Sequence, residues 1–81
     1  MELKDTIGLM KSDDYKDRFK AEYYQTKIRY DKLHKMVIKY EANTLDFEPT
    51  TPLGILRDQK RAMGEYLHNL EVRAEIDHII L

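Results

Sequence analysis

Between Ser12 and Ala42 the positions Phe19, Tyr23, Thr26, Tyr30, Leu33, Val37 and Tyr40 recur at spacings of four, three, four, three, four and three. That is a heptad seam: these side chains share one side of an α-helix, whereas a strand would send them to both faces. The pattern predicts a helix over residues 12–42, about 45 Å long at ~1.5 Å per residue. Ser12 reads as its N-cap, and Asp13 and Asp14 set negative charge in the first turn, where the helix dipole favours it. Asn43 reads as the C-cap. Ahead of this helix, Leu3, Ile7 and Met10 lie four and three apart, enough for one or two helical turns over residues 1–11.

Residues 43–51 carry no helical period, and Pro49 and Pro52 force the chain to turn. Leu45 and Phe47 are expected to tuck against the helix ends. Thr51 and Pro52 form an N-cap and N1 pair that opens a second helix over residues 52–78. There Leu56, Met63, Leu67, Leu70 and Ala74 repeat the heptad spacing, with Lys60 as a polar interruption. A short connection between two long helices makes them antiparallel neighbours. The expected fold is therefore all-α: one domain over residues 1–81, a short N-terminal helical segment followed by a helical hairpin.

The hairpin alone leaves apolar side chains without a partner. Tyr24, Ile28, Met36, Ile38, Tyr66 and Val72 lie off the two seams, and the tail closes on Ile79, Ile80 and Leu81. Each such side chain contributes on the order of 1.5–3 kcal/mol when buried. An 81-residue chain has little margin, since domains of this size bury only about 60% of their extended surface. With no cysteine there is no disulfide to help, and a reducing compartment suits the composition. The pattern therefore predicts a homo-oligomer, a dimer or an assembly of dimers.

Charge narrows the function by exclusion. Fourteen basic against fifteen acidic residues give a net charge of −1, no global pull toward nucleic acid or an anionic membrane. No apolar run approaches a membrane span, and Met1 to Asp14 lacks the basic start and apolar core of a secretory signal. His34, His68 and His78 have no metal-ligand spacing, so no metal is expected. The single serine is better placed as a cap than as a nucleophile, and Gly8, Gly54 and Gly64 form no phosphate loop. The expectation is a binding protein, not an enzyme, with no cofactor.

Two features could bind an anion. Lys27, Arg29, Lys32, Lys35 and Lys39 crowd one half of the first helix, opposed only by Asp31 and Glu41. They form either a solvated face matched to the helix dipole or, when helices assemble, an anion-binding groove. Five of the six tyrosines, Tyr15, Tyr23, Tyr24, Tyr30 and Tyr40, lie on the same helix. Aromatic faces beside cations suit a nucleotide, though Tyr23, Tyr30 and Tyr40 on the seam also read as core with polar handles. Tyr15 stands apart, at the helix start near the free N–H groups. From the residues alone, Lys27 and Arg57 join as candidate ligand-binding cations.

The arrangement Tyr15…Tyr24-Gln25-Thr26-Lys27-Ile28-Arg29…Leu33 resembles the small helical-hairpin sponge proteins of bacteriophages, the anti-CBASS and anti-Thoeris families. The second part, Pro52-Leu53-Gly54…Arg57…Ala62-Met63, is similar to that group's Pro-x-Gly turn and Ala-Met helix. The whole chain also resembles small hairpin proteins of phages and prophages. The resemblance implies stoichiometric sequestration of a cyclic nucleotide immune signal in the cytoplasm of an infected bacterial host, without cleavage. By position it assigns Tyr15 to stacking on a base and Arg29 to pairing with a phosphate. The alternative from the pattern alone is a coiled-coil-type interaction module that docks a protein and takes no small molecule.

Overall fold

The computed structural model describes residues 1–81 and contains helices and no strand. A 3₁₀ turn over Leu3–Thr6 runs into a short helix α1 (Ile7–Met10); the long helix α2 (Tyr15–Glu41) and its partner α3 (Leu53–Ile76) follow. The molecule measures 43 × 24 × 16 Å. It is therefore one helix long and little more than one helix thick, since a helix with its side chains is ~10–12 Å across. Such a slab cannot hold a large core, and only nine residues are buried.

The long helix begins two residues later than an N-cap at Ser12 implies. Asp14 is the N-cap, its Oδ1 accepting from the Lys16 amide at 2.9 Å. The Ser12 hydroxyl is engaged one step earlier, accepting from the Asp14 amide at 3.0 Å and donating to Asp17 Oδ2 at 2.8 Å. It shapes the turn that delivers the true cap. At the other end Asn43 adopts φ 59°, one position beyond the C-cap Ala42. The Thr44 amide donates to Lys39 O at 2.8 Å and the Asn43 amide to Tyr40 O at 3.1 Å. That is a Schellman closure, and asparagine tolerates its left-handed position better than most residues.

The second helix ends by the same device. His78 has φ 56°, and the Ile79 amide donates to Ala74 O at 2.8 Å. The closure folds Ile79 back onto Phe19, Leu70 and Ala74, and Tyr23 packs against that cluster. Its start differs from the expected pair: Pro52 is the N-cap itself, and no side chain caps the helix. The Pro52 carbonyl accepts from the Ile55 and Leu56 amides instead.

Both seams face each other. Phe19 and Val37 on α2 and Leu56, Leu67, Leu70 and Ala74 on α3 are buried, while Tyr23, Thr26, Tyr30, Leu33 and Met63 are half-buried. A third contact was not legible from the heptads. Thr6 is fully buried, its hydroxyl donating to Leu3 O at 2.7 Å and accepting from Gln25 Nε2 at 2.9 Å. Ala21, buried one turn before Gln25, has a side chain small enough to let this segment lie close to α2.

The off-seam apolar residues divide into two groups. Tyr24, Ile28 and Met36 are half-buried, and Met36 borders a small hollow with Phe47, Pro49 and Leu56. Ile38, Tyr66 and Val72 are exposed. Phe47, expected to tuck in, is 55% exposed: it borders open hollows at the loop end, beside Tyr40 and Leu45 and beside Met36 and Leu56, and fills neither. In the tail Ile79 is buried but Ile80 remains 87% exposed.

Candidate functional site

Each helix also carries a row at the edge of the seam, and on α2 that row takes in the seam residues Tyr30 and Val37. On α2 the residues Tyr30, His34, Val37 and Glu41 are spaced four, three and four; on α3 so are Arg57, Arg61, Gly64 and His68. Antiparallel packing sets the stripes side by side in opposite order. Glu41 meets Arg57, and Tyr30 meets Gly64. Between them runs an open groove of about 670 Å³, lined by Tyr30, Val37 and Glu41 of α2 and by the α3 stripe together with Lys60, Glu65 and Asn69. Only two of its lining residues are hydrophobic.

The charges in this groove are unequally satisfied. Arg57 donates from Nε and Nη2 to the single oxygen Glu41 Oε1, at 3.0 and 2.7 Å. Both partners are about half exposed, which places the pair in the class worth at most about 1 kcal/mol. Arg61 pairs with Asp58 at 3.2 Å on a still more exposed surface. Lys60 is half-buried and makes no ion pair.

The Tyr30 ring forms the wall facing Gly64. A Cβ placed on Gly64 would stand 3.4 Å from Tyr30 Cε2. Along its own helix the ring stacks against His34, with centroids 5.9 Å apart and planes 10° apart, and Lys27 Nζ lies 5.7 Å from its centroid. Behind it His34 Nδ1 is buried without a hydrogen-bond partner.

The four candidates from the sequence do not converge within one chain. Arg57 lies in the groove. Lys27 flanks it through Tyr30 and is held by Asp31 at 3.3 Å. Arg29 is exposed and makes no ion pair. Two positions from Lys27, it sits roughly 200° around the helix, on the other flank. Tyr15 lies at the far end of α2, about 39 Å along the axis from Glu41 at ~1.5 Å per residue. Its hydroxyl donates to Asp77 Oδ2 and accepts from Arg73 Nη2, both at 3.3 Å, tying the start of α2 to the end of α3. The ring packs obliquely on Phe19 at 6.2 Å, yet the residue stays 46% exposed.

The sequence pattern gives no ligand role to Lys60, Arg61, Gly64 or His68, and leaves Tyr30 open between a nucleotide-facing ring and a core residue. The second stripe was present in the chain, but a stripe of mixed charge next to a seam looks like ordinary solvated surface until the opposite helix is placed. Tyr23, toward the end away from the loop, carries the one perturbed titration: burial first, then the negative charge of Glu71, raises its phenol above the usual value of 10.0.

Comparison with curated proteins and with solved structures returns no match. The family model described as Sequestin matches residues 13–76. That span takes in α2, the loop and α3, and contains every residue on which the resemblance to phage sponge proteins rests, from Tyr15 to Leu33 and from Pro52 to Met63. The chain therefore belongs to the Sequestin family.

Proposed function

We propose that this chain is a phage counter-defence sponge, a single hairpin domain that sequesters a cyclic nucleotide immune signal in the host cytoplasm without cleaving it. The observation that carries the reading is the Sequestin match across the entire hairpin: the name describes holding a molecule, a binding task and not a catalytic one. The groove supports it, since cations beside a tyrosine suit a phosphorylated ligand.

In this reading the working form is a homo-oligomer, a dimer or an assembly of dimers. Ile38, Val72, Ile76 and Ile80 are 49%, 45%, 69% and 87% exposed, aliphatic surface that a second copy would cover. Oligomerisation also answers the separation of the candidate residues. Tyr15 and Arg57 stand at opposite ends of the hairpin, so a site that uses Tyr15, Arg29, Lys27 and Arg57 together draws them from different copies. Tyr15 supplies a half-exposed ring for a base, and Arg29 a guanidinium with no ion pair for a phosphate.

The same exposed aliphatic residues favour one other reading, a coiled-coil-type module that docks a protein and no small molecule. Thermal melting with a panel of cyclic dinucleotides, cyclic trinucleotides and nucleotide-ribose signals separates the two. A sequestered ligand at a hundredfold excess over its dissociation constant adds ~2.7 kcal/mol to apparent stability and raises the melting temperature. A melting temperature unmoved by every member of the panel leaves the docking module.

A further inference from the structure

The groove between Tyr30 and Gly64 asks for an explanation that the fold does not provide. Gly64 sits in the middle of α3, where glycine costs about 1 kcal/mol relative to alanine. Its backbone does not require glycine, because no glycine in the chain has a positive φ. Close packing does not forbid a side chain outright, because an added Cβ would stand 3.4 Å from Tyr30 Cε2, at the near edge of ordinary contact. What the missing side chain leaves is open space beside Tyr30, in the wall of the groove.

The groove sets three cations, Arg57, Lys60 and Arg61, against two carboxylates, Glu41 and Glu65. Lys60 is half-buried with no ion pair, while Arg57 and Arg61 hold only exposed, weakly bound carboxylates. An unpaired, partly buried ammonium is an unfavourable arrangement unless an anion joins it. The groove, at about 670 Å³, falls within the ~300–1,000 Å³ range of small-molecule sites. Arg57 and Arg61 supply planar forks that match phosphate oxygens, and Lys60 a point charge between them in sequence.

We infer that this groove is the phosphate-binding half of the ligand site: Arg57, Lys60 and Arg61 hold a diphosphate or phosphodiester, and Gly64 leaves room for it against Tyr30. The assignment rests on the sponge reading only for the organic part of the ligand. It moves the anion site from Arg29, on the opposite flank of α2, to the third helix. A phosphate entering the groove displaces Glu41 from Arg57.

The test uses the full chain labelled with ¹⁵N and inorganic pyrophosphate as the probe, followed by the nucleotide panel in melting experiments. Pyrophosphate is expected to shift the amide signals of Lys60, Arg61 and Gly64. Lys60→Gln, which removes the unpaired charge, weakens pyrophosphate about tenfold, the effect of one charge-assisted hydrogen bond, and Gly64→Gln, which favours the helix but fills the groove, weakens it by steric exclusion at least as much. Gly54→Gln makes the same exchange where an added Cβ meets nothing within 4 Å, and Lys32→Gln removes an exposed charge elsewhere. Both controls change the affinity by less than about twofold, as surface substitutions outside a site do.

Shifts spread evenly over Lys32, Lys35 and Lys39, or no difference between Gly64→Gln and Gly54→Gln, overturn the groove. So does a nucleotide that raises the melting temperature of the wild type and of Gly64→Gln equally, an outcome that leaves the sponge reading standing. Conversely, groove-specific pyrophosphate binding with no response to any nucleotide upholds the anion site and removes the sponge reading.

Discussion

Glu41 is the residue whose removal separates binding from folding most cleanly. It holds both donors of the Arg57 fork on one oxygen and adds negative charge to a groove that otherwise attracts anions. Its partner is half exposed, so Glu41→Gln has a small effect on stability, within about 1 kcal/mol. Freed of that carboxylate, the groove binds pyrophosphate at least about threefold more tightly, the effect of one unit charge acting across a solvated site. Calorimetry on the two proteins checks it; an affinity unchanged or lowered contradicts the role given to Arg57. Tyr15 is a second residue-scale case. Its two hydrogen bonds are long, at 3.3 Å, so Tyr15→Ala costs no more than ~1 kcal/mol of fold stability. The proposed stacking on a base predicts that nucleotide binding is lost in Tyr15→Ala while circular dichroism is preserved. Retained nucleotide binding returns Tyr15 to the structural tie between the ends of α2 and α3.

The heptads of α2 and α3 were legible because helical periodicity reports directly on which side is buried: Phe19, Val37, Leu56, Leu67, Leu70 and Ala74 are all on the shared seam. What was hidden depends on partners far apart in sequence. Thr6 is buried through Gln25, nineteen positions on, and no spacing rule links them. The groove stripe from Arg57 to His68 looks solvated until α2 is laid beside it. Caps misled for a similar reason: Ser12 has the right chemistry for an N-cap, but Asp14 competes for the same turn and prevails. The end of the hairpin away from the connecting loop holds the buried cluster of Phe19, Leu70, Ala74 and Ile79. Phe19→Ala should therefore lower unfolding stability by ~3–5 kcal/mol, read by urea denaturation; a loss under ~1 kcal/mol, in the range of ordinary surface changes, denies that cluster its place. Tyr23, packed on it, gives an alkaline signature. Its phenol titrates above 10.0 in the folded chain because of burial and Glu71. Above pH 10 the unfolded chain loses this proton while the folded chain keeps it, so stability falls as pH rises through the folded value. The melting temperature of Tyr23→Phe should fall less over that interval than that of the wild type; equal slopes would assign the loss to other groups.

At the level of the whole molecule, a slab 16 Å thick with nine buried residues keeps both broad faces open. No helix is long and apolar enough to cross a membrane. The aliphatic residues left outside, Val72, Ile76 and Ile80 among them, supply the surface that self-association would bury. Ile76→Asp should lower the oligomer mass seen by light scattering, whereas Lys32→Asp, on an exposed polar position, should not; equal masses for both variants place the interface elsewhere. The central claim, sequestration without chemistry, is tested most directly by filter retention. The protein is incubated with the panel of cyclic and ribose-linked nucleotides, passed over a membrane that holds back only protein, washed, heated to denature it, and the released material is resolved by liquid chromatography. The account predicts that one nucleotide class is retained in fixed proportion to protein and released chemically unchanged. Retention of none of them, or release of a cleaved product, contradicts it.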